Sequence, residues 1–176
     1  MSKKALTGDK EVKEKEANNM RNDDISKADS ITFRLPRWED LPEIGLYLDQ
    51  VLELIESWLG KDRLLTKTMI NNYVKQKHIP APVNKRYDKT AVASLIAIAL
   101  LKQVFTIDEI SRLIALALEK ESQSEAFDRF CEMTESAVAN LGKGNPADPK
   151  ERGIMWNVTN AFASQLYVRN HLPKRD

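Results

Sequence analysis

One run of eleven residues limits what this chain can fold into: Ala91 to Leu101, AVASLIAIALL. At helical spacing its apolar side chains point in every direction, so a helix here has no face to give to water. It contains Ser94 and falls well short of the roughly 20 residues needed to cross a bilayer. It must therefore be covered by its neighbours and lie at the centre of a helical domain. Asp88, just ahead of it, suits the N-cap of a helix expected over Thr90 to Gln103.

The flanking segments carry the cover. A first helix is expected from near Asp40 to Leu59, with Pro42 in its opening turn and Gly60 as its stop. Its apolar residues Ile44, Tyr47, Leu48, Val51, Leu52, Ile55, Trp58 and Leu59 fall three and four apart. A second helix is expected from Lys67 to Lys77, capped by Thr66 or Thr68, with Met69, Ile70, Tyr73 and Val74 on its buried side. Pro80 and Pro82 close it, and Val83 to Tyr87 reads as a short strand or wing. Thr106 and Glu109 form a capping box that starts a fourth helix at Ile107. Two further amphipathic helices, over 124–141 and 149–171, are joined by the loop GKGNPADP. Phe33, Leu35 and Trp38, in an extended segment, are expected to pack onto this domain. Residues 1–30 have too few apolar side chains to offset their ordering entropy and read as a disordered arm. The expected fold is all-α: a helix-turn-helix unit over 31–120 with at most a small wing, then a helical hairpin over 121–176. That hairpin suits dimerisation and leaves room for a small-molecule effector.

Charge gives the first functional signal. The whole chain carries a net +1, but residues 61–89 hold eight Lys/Arg against two Asp/Glu. Residues 31–60, by contrast, hold two against six. Affinity for a polyanion depends on charge gathered locally, so the expected partner is double-stranded DNA. Asn and Gln pair with adenine edges, and Lys with guanine or phosphate. On the second helix Asn71, Asn72, Lys75 and Gln76 are the expected base readers, with Thr68 beside them. Lys67, Lys77, Lys85, Arg86 and the Tyr87 hydroxyl are the expected phosphate contacts.

Other chemistries find little footing. Cys131 is the single cysteine and reads as a small core residue; with His78 and His171 far away in sequence, no metal site is expected. GKGNP lacks the strand and the Lys-Ser/Thr of a phosphate loop. No acid, base and nucleophile come together, so no enzyme and no cofactor are expected. The N-terminus lacks the apolar core of a signal peptide, which points to the cytoplasm and away from a membrane.

The run TMINNYVKQKHIPAPVNKRYDKTAVASL resembles the DNA-binding core of the MerR-type regulators. The likeness rests on Tyr73 within a helix, the Ile79-Pro80 exit, Arg86-Tyr87 at the end of a wing, and a helix led by Asp88, continued by FTIDEI. From Leu35 to about Leu118 the chain is also similar to a bacterial family of unknown function, some of whose members are regarded as MerR-like. The resemblance implies a sequence-specific transcriptional regulator, a repressor acting as a homodimer. The rival expectation is a protein–protein interaction module without DNA binding.

Overall fold

A computed structural model describes residues 33–61, 65–141 and 153–172; the expected arm and the GKGNPADP loop lie outside them. The fold is all-α with one two-stranded sheet. At its centre is α3, Lys89–Leu101, whose first turn is capped by Asp88, the carboxylate accepting the Ala91 N–H at 2.8 Å. Ten of its thirteen residues are buried, which realises the all-round apolar pattern. Each fully covered Leu, Ile or Val contributes about 1.5–3 kcal/mol.

Helix α1, Leu48–Leu59, lays Val51, Ile55 and Leu59 into this core and ends at Gly60, whose φ of 75° suits glycine. It begins later than the sequence pattern suggests. Trp38–Asp40 form a single 3-10 turn, and Leu46–Tyr47 form strand β1. The backbone of β1 pairs antiparallel with strand β2, Arg86–Tyr87, in the register Leu46 to Tyr87 and Tyr47 to Arg86. Those ladder bonds replace the helical bonds that an earlier start would have made. Gly45 lets the strands meet, since a Cβ there would lie 3.0 Å from that of Arg86. Ile44, assigned by spacing to the apolar face, is 72% exposed.

The remaining helices follow their caps. Helix α2 is Lys67–Lys75, with Thr66 Oγ1 accepting the Met69 N–H at 3.1 Å. Helix α4 is Ile107–Leu118, led by the Thr106–Glu109 capping box. Helix α5, Gln123–Ala139, has a second such box from Ser122 and Glu125. Helix α6, Ile154–His171, packs along α5. One continuous cluster of buried side chains runs from Leu35 through α3 to Val158, Phe162 and Leu166 of α6. Helices α1 to α6 thus all contribute to one core. No helix among the described residues is long and apolar enough to cross a membrane.

The extended segment ahead of α1 is a strap fastened to α5 and α6. Phe33 rests against Phe162, and Trp38 meets Phe127 edge-on. The Arg37 guanidinium grips Glu135 through two hydrogen bonds of 3.0 and 2.7 Å, and the Leu35 N–H donates to the same carboxylate at 2.7 Å. Burial pushes the Glu135 carboxyl up, but these donors and the charge of Arg37 outweigh it and hold it below its ordinary value. Cys131, fully buried in α5, has its thiol pushed up to about 12 by burial, so it is packed and unreactive.

Because the folded carboxyl is the stronger acid, its stabilisation is present above the ordinary value of 4.5 and is lost as pH falls through the depressed one. Glu135→Gln should cost about 2 kcal/mol at neutral pH in urea unfolding, leaving a half-buried guanidinium poorly paired. The gap from wild type should narrow below pH 4.5. A gap independent of pH would assign the loss to packing and not to charge.

Candidate nucleic-acid interface

Helix α2 divides cleanly between core and surface. Ile70 is buried and Met69, Tyr73 and Val74 are partly so, while Lys67, Thr68, Asn71, Asn72, Lys75 and Gln76 are exposed. The exposed set recurs at four-residue steps, which lays it along one side of a helix about 13 Å long. Burial raises the Tyr73 hydroxyl's pKa, in keeping with a ring turned inward.

The end of α2 is a Schellman cap. The His78 N–H donates to Tyr73 O at 2.9 Å, and the Lys77 N–H to Val74 O at 3.0 Å. This geometry puts Lys77 at φ 65°, where glycine is the easy choice. Beyond the prolines, Val83 and Arg86 exchange backbone bonds of 3.0 and 2.9 Å across a two-residue turn. Asn84 and Lys85 at that turn have φ of 50° and 63°, the signature of type I′. The expected wing is therefore a tight hairpin with an exposed lysine at its tip. Each lysine in the left-handed region costs roughly 1–2 kcal/mol over an ordinary conformation.

The first turn of α1 joins α2 to the hairpin. Lys67 Nζ lies 2.5 Å from Asp49 Oδ1. Two residues earlier, the Tyr47 ring lies under the Arg86 guanidinium at 4.4 Å, with the Tyr47 hydroxyl 3.4 Å from Arg86 Nη2. Arg86 also donates to Gly45 O at 2.9 Å. The start of the polar helix and the base of the hairpin are thus held by one short stretch of chain.

The structure alters the expected set in two ways. Tyr87 is 4% exposed, its partner across the ladder is Leu46, and burial raises its pKa. Alternation along β2 turns Arg86 outward and Tyr87 inward, so Tyr87 is corrected from a phosphate contact to a core residue. The positive excess is also partly neutralised at home. Lys61 approaches Glu56, Lys67 pairs with Asp49, and Lys89 pairs with Glu43. Arg63 lies outside the described residues. Lys75, Lys77 and Lys85 pair with no acidic group among the described residues. The contacts of Tyr47 with Arg86 and of Asp49 with Lys67 are not legible in the sequence, because helical spacing assigns Tyr47 to a buried face and long-range pairing leaves no mark there. Among the described residues no group of three or more His, Cys, Asp or Glu is placed to hold a metal ion.

The chain belongs to the family described as Domain of unknown function (DUF1836), which matches residues 36–140. That span takes in the strap from Pro36 onward, α1, α2, the hairpin, α3, α4 and α5, and stops before α6. Comparison with curated proteins and with solved structures gave no match.

Glycine at either strained lysine should ease the backbone. Lys77→Gly and Lys85→Gly are each expected to leave stability unchanged or to raise it by up to about 1 kcal/mol in thermal or urea unfolding. A loss above that size would mean that the lysine side chain itself holds the fold.

Proposed function

We propose that this chain is a sequence-specific DNA-binding regulator of transcription, with α1 and α2 as its helix-turn-helix and the 83–86 hairpin as a wing. The observation that carries the reading is the placement of Lys77 and Lys85. Both stand where glycine would be easier, both are exposed, and neither has an acidic partner among the described residues. Strain retained at two exposed cations flanking a polar helix face points to a function for the charge. The exposed Asn71, Asn72, Lys75 and Gln76 supply the donors and acceptors that read base edges in the major groove. Lys67 at the helix start, the hairpin Lys85 and Arg86, and Lys77 at the helix exit would hold phosphates. Thr68, exposed in the first turn, would serve either role.

Readers of this kind gain by pairing two half-sites, so a homodimer acting as a repressor is part of the proposal. Exposed Ile154, Val168 and Leu172 on and just after α6, at 57%, 55% and 62%, favour a contact surface there. The same residues support the second reading, an interaction module without DNA. A sizing measurement by light scattering, with and without DNA, separates a dimer from a monomer.

Internal pairing sets the size of the electrostatic effect. With three to five cations available rather than eight, the slope of log K against log salt should be about −3 to −5 per chain. Asn71→Ala should cost about 1–3 kcal/mol on the best site and relax preference at one base pair. Lys85→Ala should weaken all sequences alike and reduce the slope by about 1. Asp49→Asn, which releases Lys67 and removes a nearby negative charge, should tighten binding. Fluorescence anisotropy on selected genomic fragments across a salt series measures all four, and no salt-dependent binding to any fragment would contradict the reading.

A further inference from the structure

Between α3, α4 and α5 lies an apolar cavity of about 70 Å³ that opens to solvent. It exists because Ala93, Ala97, Ala117 and Ala126 converge there from three helices, and Leu113 and Ile114 do not fill the gap. Close-packed interiors rarely leave such a space without larger side chains to occupy it. Its walls offer water almost no partners, and a water needs two to four. The polar residues in the lining are Thr90, Ser94 and Gln123, and Thr90 Oγ1 donates to Gln123 Oε1 at 2.6 Å. The space is far below the roughly 300–1,000 Å³ of a drug-sized site. It is also about half of the roughly 150 Å³ that takes benzene, so what fits is a short alkyl end entering from the open side, with its polar group left beside Thr90 and Gln123.

Helix α4 ties this cavity to α2. At its first turns, Ser111 Oγ lies 2.8 Å from His78 Nδ1, and Asp108 Oδ1 lies 3.5 Å from His78 Nε2. His78 is the residue whose N–H closes the cap of α2. Leu113 and Ile114, one turn or less beyond Ser111, are walls of the cavity. Anything that shifts α4 to make room therefore pulls on the exit of the polar helix.

We propose that the cavity is an effector site for a small apolar molecule carrying one polar end, and that its occupancy is transmitted through α4 and His78 to α2. The regulatory half rests on the DNA-binding reading above; the binding half does not. Butan-1-ol is a suitable probe, followed by methyl and histidine NMR on the full chain and by DNA anisotropy. Saturable shifts at Leu113 and Ile114 methyls, a concurrent shift of the His78 ring, and a change in DNA affinity of about fivefold or more, the lower end of ordinary coupling, are expected. Ala97→Leu, which fills the cavity, should abolish the methyl shifts, and Ala117→Leu serves the same purpose where Ala97→Leu does not fold. No saturable shift, or shifts that persist in the filled variant, overturn the site. Methyl shifts with a still His78 and unaltered DNA affinity overturn the coupling. Methyl and His78 shifts in a protein that binds no DNA uphold the site and its link to α2, and they overturn the DNA reading alone.

Discussion

Burial of α3 on all sides is the constraint that places the other elements. A helix with ten of thirteen residues out of water needs cover from several directions. The cover comes from α1 and α4, from α5 with the strap bound to it, and from the strand that feeds it. Tyr87 enters the core one residue before the Asp88 cap, so the hairpin runs into α3 without slack. Strand β1 then pairs with the hairpin and hands directly to α1. The frame that carries the polar helix is therefore continuous with the core, and its geometry follows from where apolar side chains must go.

Once the core is satisfied, what is left outward on α2 and the hairpin is short amides and lysines. That residue is not random in its energetics. Lys77, Asn84 and Lys85 all adopt left-handed backbone, and among the described residues they are the non-glycine positions that do so. Strain gathered around one surface, beside cations with no acidic partner among the described residues, is the observation on which the proposed reading of this face rests. Pairing of Lys67 with Asp49 and of Lys89 with Glu43 works in the other direction and lowers the field that a charge count implies.

Local physics was the legible part of the sequence. Asp88 and the Thr106–Glu109 box each announce a helix start, because a cap involves residues only three apart, and of the two threonines that fit the start of α2 it is Thr66 that caps it. The matching Ser122–Glu125 signal was equally readable, though spacing alone had suggested a start at Ser124. The start of α1 is not legible because Ile44 and Tyr47 fit a helical period, while a strand partner some forty residues away claims Leu46 and Tyr47. The hairpin turn was disguised by the lack of glycine in Asn84-Lys85. The Arg37–Glu135 clamp spans 98 residues, and no local pattern encodes it. Of the candidate surface, the helix residues were legible from polarity, whereas the inward turn of Tyr87 and the stacking of Arg86 on Tyr47 required the register of the sheet.

The proposed function has a spatial consequence: DNA would lie against α2 and the hairpin tip, and not against α6. Hydrogen exchange of the full chain with and without its selected DNA fragment tests this most directly. Added protection is expected over Thr66–Lys77 and Val83–Arg86, at the amides that face the ligand. Protection centred on α6, with those two segments unchanged, would contradict it.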